Sequence, residues 1–434
     1  MGSRRASGGA GTILPSTNGG RLTLTTGTPV TTADVESTTI YWEPCSGNHV
    51  ALYDGSSWAY SEIGSGVSLL ASADDLDGNA LEPTVYDVFL YLSAGVLTLG
   101  MQKWTSSTAR AEAISLQNGA WVMTSDTTKR LVGTVALKDA TIPGLGVAGT
   151  MTVSGGNAAL IDDAPGTAAA DVSGYNTSTA FRVDFGAGVT KDLSGLSITK
   201  ETGTGIDNDA IMVLQYSDDD SAWTTAGSAF TISAGTSGVA EYFGIAHSGG
   251  AHRYWRIFYS SGTTGGNFWL QEVEFFAGFV DTSANRLVCN ANKPVQYAEF
   301  ASDDTDSWSS SGQNGTWAAV NGGNAAWRHD FVVCLDEEPV KADLTMFGSD
   351  GSAGTGCWAF ALDSVTALSA GSSIGALQAA GSPFTSPASY AGRPGIGAHY
   401  LQAIETTDAA ATGTGFGDGG VAYLRSGVRF HGRR

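Results

Sequence analysis

Six histidines, four cysteines and 42 acidic residues are the groups with which this chain could do chemistry. His49, His247, His252, His329, His399 and His431 show neither an HExxH pair nor a Cys/His spacing, so nothing in the pattern holds zinc. The Gly/Thr runs Thr202 to Gly205 and Gly413 to Gly417 lack the Lys-Ser/Thr and the strand-to-helix setting that cradles a phosphate, and they read as turns. Two carboxylates a few ångströms apart could cleave a glycosidic bond. Among 42 acids, however, proximity in sequence selects no pair, and the periodicity of a parallel β-helix is missing. Cys45, Cys289, Cys334 and Cys357 are too few for a disulfide framework in 434 residues and read as buried small hydrophobes. These observations point to a protein that is not an enzyme.

The elements that must carry any site are strands. Glycine supplies 59 residues and only 15% of the chain is charged, a profile of short strands joined by tight turns, because glycine enters positive-φ positions without steric cost. The length suits two or three domains. Alternating runs flank Asp54-Gly55, Ala94-Gly95 and Asn118-Gly119, three hairpin signals. Ser-Ser-Thr-Ala-Arg-Ala-Glu-Ala between Trp104 and Leu116 predicts one short helical turn, with Ser107 or Thr108 as its cap. Residues 1–20 read as a mobile Gly/Ser-rich arm, and residues 142–149 as a linker or the start of a strand. Further strands are expected at Thr179 to Phe185, Ser194 to Thr199, Ile211 to Tyr216, Arg253 to Tyr259 and Phe268 to Phe276. A third group falls at Trp327 to Leu335, Gly356 to Leu362, Gly397 to Glu405 and Val421 to Val428. The net charge of −20 excludes nucleic acid as a natural partner. Arg4-Arg5 and Arg433-Arg434 read as solvated tails. The first residues lack an apolar signal core, and no apolar run is long enough to span a bilayer, so the expectation is a protein folded in the cytoplasm without membrane insertion.

Five segments, in order, resemble the discoidin (coagulation-factor type C) family of galactose-binding-like jelly rolls. They are Ala159-Leu-Ile-Asp-Asp-Ala-Pro-Gly-Thr167, Ala180-Phe-Arg-Val-Asp-Phe-Gly186, Leu214-Gln-Tyr-Ser-Asp-Asp-Asp-Ser-Ala-Trp223, His252-Arg-Tyr-Trp-Arg-Ile257 and Leu270-Gln-Glu-Val-Glu-Phe-Phe276. The resemblance covers residues 150–278 and implies a module that holds glycans or lipid head groups in loops at one end of a sandwich. It also implies a structural Ca²⁺, with Asp162, Asp163, Thr167 and Glu272 at the corresponding positions; carboxylates and loop carbonyls are the hard oxygen ligands calcium takes. The alternative is a solvated acidic turn and an unrelated strand glutamate, and Asp-Asp-Ala-Pro-Gly departs from the family's single Asp-Gly. Trp223, Trp255 and Phe275 are expected in the core. Because sugars stack on exposed rings and place their hydroxyls on polar side chains, the loop residues Tyr175, Asn176, His247, His252 and Asn267 are the candidate ligands, each with an ordinary turn role as its alternative.

The flanks resemble the two halves of a group of phage virion proteins. The N-terminal half is carried by Tyr86-Asp-Val-Phe-Leu-Tyr91, Leu97-Thr-Leu99, Trp104 to Ala111, Leu116-Gln-Asn-Gly119 and Lys129-Arg-Leu-Val-Gly-Thr134. The C-terminal half is carried by Asn285-Arg-Leu-Val288, Asp306-Ser-Trp308, Trp327-Arg-His-Asp-Phe-Val-Val333, Leu362-Asp-Ser364, Pro394-Gly-Ile-Gly-Ala-His-Tyr-Leu401 and Phe416-Gly-Asp418. The resulting expectation is an all-β protein of β-sandwich and jelly-roll domains. A discontinuous knob, residues 21–140 and 280–434, is interrupted by a galactose-binding-like module at 150–278. Its expected role is that of a virion fibre or knob, a homotrimer among other virion proteins, displaying weak glycan sites to a host surface. A capsid-decorating role and a spike hydrolase with an accessory carbohydrate module are the alternatives.

Overall fold

A computed structural model describes residues 14–31, 33–139, 170–171, 179–200, 210–232, 238–262, 269–292, 294–337, 339–350, 355–377, 384–408, 413–417 and 425–433. Over these residues the chain is all-β, with two short 3-10 turns, Val320–Gly323 and Ala325–Trp327, as the helical elements. None of the described helices is long and apolar enough to cross a membrane.

The three hairpins form where the turn dipeptides stand. His49–Tyr53 pairs with Trp58–Glu62, and the Asp54 carboxylate between them accepts the Ser56 and Ser57 amides at 2.8 and 2.7 Å. Those hydrogen bonds hold its pKa well below the usual carboxylate range. Val85–Ser93 pairs with Val96–Ser106 around Ala94-Gly95, at φ 49° and 82°. Ile114–Gln117 pairs with Ala120–Met123 around Asn118-Gly119, at φ 55° and 88°. Two successive positive φ values twist a two-residue loop to match its strands.

The helical turn expected after Trp104 is absent. That stretch is the end of strand Val96–Ser106 and a tight return into Ala109–Arg110. Trp104 is buried beneath the Arg110 guanidinium, 4.7 Å from its ring, and Arg110 binds Asp87 at 2.6 Å. Tertiary burial thus overrides a weak local propensity.

In the N-terminal sandwich, Gly20–Thr23, Thr39–Pro44 and Val67–Leu70 form one sheet. It packs over Val85–Ser93, Val96–Ser106 and Arg130–Asp139 around Leu22, Trp42, Tyr86, Val88, Met101 and Val132. Arg130–Asp139 lies between Val85–Ser93 and Val288–Asn290, with Gly133 opposite both Val88 and Asn290. The last residues of the expected arm are docked rather than mobile. Asn18 is buried and bridges to Val50, and the buried Arg130 guanidinium donates to the carbonyls of Pro15, Thr17 and Ala51.

A second sandwich packs the sheet Thr179–Asp184, Tyr254–Ser261, Ile211–Ser217, Thr224–Thr231 against one containing Ala240–Gly244, Gly195–Lys200, Trp269–Thr282 and Ala170–Asp171. Its core holds Phe181, Leu196, Ile198, Met212, Leu214, Trp255 and Phe275. Each such side chain stabilises by about 1.5–3 kcal/mol relative to exposure. The third unit places Gln296–Ser302, Gly427–Arg433, Val340–Asp350, Gly413–Phe416 and Phe384–Gly392 over Arg328–Val333, Gly397–Thr407 and Gly356–Leu362, around Trp327, Phe331, Trp358, Phe360, Leu401 and Phe430.

Several local expectations are corrected. The run at Gly413 is strand rather than turn, and Gly415 is required there because a Cβ would fall 2.3 Å from the Trp308 ring. The last strand is Gly427–Arg433, later than expected, so Arg433 ends a paired strand opposite Gln296 instead of a free tail. Strand Trp269–Thr282 runs through residues 278–280, where the sequence suggested a passage between domains. Its first part pairs with Gly195–Lys200, and its second part with Arg130–Asp139 and Val35–Ser37. The second sandwich and the N-terminal one therefore share a strand. At Gly278, φ +91°, a side chain would strike the Ser37 carbonyl at 2.8 Å.

Candidate functional site

The second sandwich has one end where Thr179–Asp184 and Ile211–Ser217 finish and Tyr254–Ser261 begins: Asp184 and Ser217 both face Tyr254. Trp255, fully buried, forms the floor of this end and donates from Nε1 to the carbonyls of Lys191 and His252, at 3.0 and 3.1 Å. Two connections are thereby tied to one indole. Tyr216, the penultimate residue of its strand, stacks on His252 with centroids 3.9 Å apart and planes 9° from parallel.

His247 and His252 are brought together beside Tyr216, His247 at 6.0 Å from it. His252 Nδ1 faces the Asp218 carboxylate at 3.0 Å, and its Nε2 faces the Gly249 carbonyl at 3.1 Å. His247 donates from Nε2 to the Leu193 carbonyl at 2.7 Å and accepts the Gly249 amide at Nδ1, 3.1 Å away. Gly249 has no alternative, since a Cβ would meet the Tyr216 hydroxyl at 2.6 Å. Asp192 stands 3.4 Å from His247 Nε2, and burial raises its pKa. Asp219 accepts the amides of Ser221 and Ala222, at 2.9 and 2.8 Å, which fixes the hairpin that presents Asp218. Asp218's side chain is 69% exposed while that of His252 is 14% exposed. A solvent-facing carboxylate on an imidazole that is itself held by backbone can offer aligned acceptors to the hydroxyls of a polyhydroxylated ligand.

Beside this end, the outer face of the four-stranded sheet carries a row of rings and guanidinium groups. Trp223 is half-buried and lies here, not in the core, with the Arg256 guanidinium 4.1 Å above its ring. Arg256 is also 4.7 Å from Phe258 and bonds Gln215 at 2.8 Å. Arg253 covers Tyr254 at 4.6 Å and grips Asp184 bidentately at 2.6 and 2.7 Å, while Arg182 pairs with Asp220. The strand pattern gave no way to see this, because Trp223 stands at the mouth of the hairpin, where period-2 alternation has not begun. Trp255 and Phe275 are core, as expected.

The other candidates are not part of this cluster. Tyr175, Asn176 and Asn267 lie outside the described residues. Asp162, Asp163 and Thr167 also lie outside the described residues. Glu272 is buried, opposite Thr199, on the reverse side of the sheet from Val273 and Phe275. The described residues contain no cluster of three or more metal-binding side chains. Cysteines divide: Cys289 and Cys334 are buried, Cys45 is exposed and Cys357 half-buried.

Two buried carboxylates sit in the third unit. Asp303 accepts Trp327 Nε1 at 2.6 Å and Asn321 Nδ2 at 2.8 Å, and Glu405 accepts the Ser311 amide at 2.8 Å and Trp308 Nε1 at 3.3 Å. Indoles and amides saturate both groups, so they pin the 303–327 loop to strand Gly397–Thr407.

No protein-family profile matches the chain, and no curated protein matches it in sequence. Solved structures do. Among those similar to it are CBM62 from Clostridium thermocellum Xyl5A, with 22% identity, TM-score 0.23, 30% of this chain and 95% of that one. Another is CpGH89CBM32-6 produced by Clostridium perfringens, with 16% identity, TM-score 0.22, 31% of this chain and 100% of that one. A third is a fucolectin from striped bass (Morone saxatilis) serum, with 10% identity, TM-score 0.23, 63% of this chain and 98% of that one.

Proposed function

We propose that the protein binds a glycan through the second sandwich and presents that site from a larger all-β body, acting by adhesion and not by catalysis. The observation that carries this reading is the loop end where exposed Asp218, His252 and Tyr216 are locked together over Trp255. A sugar needs fixed acceptors and donors beside an apolar ring, and this arrangement supplies them before any ligand arrives. The half-buried Trp223, with Arg256 on it, extends the surface along the sheet face.

In this reading the protein serves on a phage particle as a fibre or knob in contact with a host-surface glycan and other virion proteins, a role suggested by the resemblance of its flanks. Pairing of Arg130–Asp139 with Val288–Asn290 supports it, since these two flanking segments then belong to one body. Several copies, a trimer in the simplest fibre, would raise the avidity of weak sites through effective concentration.

The test is a glycan array and host-cell binding with the whole chain displayed on beads, with Asp218→Asn and His252→Ala alongside. Binding at a Kd on the order of 0.1–1 mM per site, weakened at least tenfold in both variants, supports the reading. A folded, multivalent protein that binds no glycan sinks it. Release of reducing sugar from host polysaccharide would move the protein to the hydrolases, and imaging of an intact particle would place it on head, tail or neither.

A further inference from the structure

We infer that Cys289 and Cys334 form an oxidation site, a latent disulfide that staples the N-terminal sandwich to the third unit. The fold brings them together. Asn285–Arg286 runs parallel to Arg328–Val333, with Asn285 opposite Asp330 and Arg286 opposite Phe331. Cys289, in Val288–Asn290, and Cys334, just past Arg328–Val333, lie beyond this paired stretch in the same core cluster. Neighbouring strands stand about 4.8 Å apart, inside the Cα separation of about 4.4–6.8 Å that a disulfide spans. Both side chains belong to one core cluster, 9% and 1% exposed, and each thiol lies within reach of the other. Both also line a cavity of about 70 Å³ whose other walls include Pro294, Tyr297, Glu337 and Arg433.

The chemistry is thiol–disulfide exchange with a small dialkyl disulfide as oxidant. Cys289, the more exposed of the two, is the attacking sulfur. Its thiolate attacks the oxidant and expels one thiolate, leaving a mixed disulfide. Cys334 then gives up its proton, attacks Cys289 Sγ and expels the second. Two protein thiols and one oxidant become one protein disulfide and two small thiols. Cys289 sits opposite Thr134 of the N-terminal sandwich, and Cys334 directly follows Arg328–Val333, which pairs with Gly397–Thr407 of the third unit. A bond between them would resist separation of the two units.

The test treats the full chain with bis(2-hydroxyethyl) disulfide, alkylates in denaturant and maps the peptides. The expected result is a Cys289–Cys334 cross-linked peptide, a mass lower by two hydrogens at that site, and a melting temperature raised by several degrees that a reductant reverses. Exposed Cys45, which takes the probe as a mixed disulfide, reports that the reagent acted. Cys289→Ser and Cys334→Ala should each abolish both cross-link and shift; the wild-type map stands alone if either variant fails to fold. Recovery of Cys289 and Cys334 as free thiols after Cys45 has reacted overturns the inference, as does cross-linking of either one to Cys45 or Cys357.

Discussion

At the scale of single residues, burial decides the consequences. His329 is wholly buried, stacked 4.3 Å from Phe430, with Nδ1 donating to the Ser283 carbonyl and Nε2 accepting the Tyr297 hydroxyl. Burial depresses its pKa to about 4. Since the unfolded chain takes the proton near pH 6.5, the stability tied to the neutral ring is full above that pH and is lost as the pH falls toward 4. The loss amounts to about 3 kcal/mol. Glu405 acts with opposite sign: burial raises its pKa, so it favours the fold increasingly as the pH falls through that raised value. Urea unfolding at pH 7 and pH 4.5 should therefore show a smaller acid penalty in His329→Gln than in the wild type; equal penalties would assign the acid sensitivity to other groups. If Glu272 shares a Ca²⁺ with Asp162 or Asp163 and Thr167, a chelator should lower the melting temperature of the wild type. It should leave Glu272→Gln unmoved. Identical melting with calcium and chelator in the wild type would make these ordinary turn and strand positions.

At the scale of elements, the hairpins and one cation carry distinct loads. Ala94 is held at φ 49° in a turn with open space around Gly95, so the cost there is backbone strain alone. Ala94→Asn should raise the stability by about 0.5–1 kcal/mol, because asparagine tolerates the left-handed region; an unchanged urea midpoint would contradict this. Arg130 anchors the segment ahead of strand Gly20–Thr23 by three carbonyls. Arg130→Met keeps the bulk but removes the donor that ties those carbonyls together, at about 1–3 kcal/mol. Limited proteolysis should then cut between residues 14 and 20 faster than in the wild type.

At the scale of the whole molecule, the shared strand Trp269–Thr282 governs how the glycan-binding unit is held. Its Phe276–Asp281 part pairs with Arg130–Asp139 and Val35–Ser37, and Lys191 reaches Glu36 at 3.1 Å. Excision of the second sandwich must therefore spare residues 276–282. A Gly/Ser linker replacing residues 141–275 should leave a cooperatively unfolding protein of unchanged oligomeric state that no longer binds glycan, because closing a loop costs little with length. Replacing residues 146–278 should be worse, since it removes Phe276 and Gly278, which pair with Asp139 and Lys138. If residues 21–140 and 280–434 each fold stably when expressed alone, the body is two independent beads instead of one interrupted unit.

Much of this was legible in the chain because it is local. Asp54-Gly55, Ala94-Gly95 and Asn118-Gly119 mark their turns through backbone preferences carried by the residues themselves, and alternation around Phe181 and Trp255 marks core-facing strands through solvation. His247 and His252 could be picked out as loop residues for the same reason. What depends on distant partners was not legible. The stretch after Trp104 is strand because Asp87 and the core claim Arg110 and Trp104. Trp223 is half-exposed because Arg256 meets it from another strand. Cys289 and Cys334 share a core cluster although they lie far apart in sequence. Strand alternation says which residues share a face, but pairing energy is nearly the same in many registers. Only the packing of the complete set of sheets selects one, and with it the composition of the site.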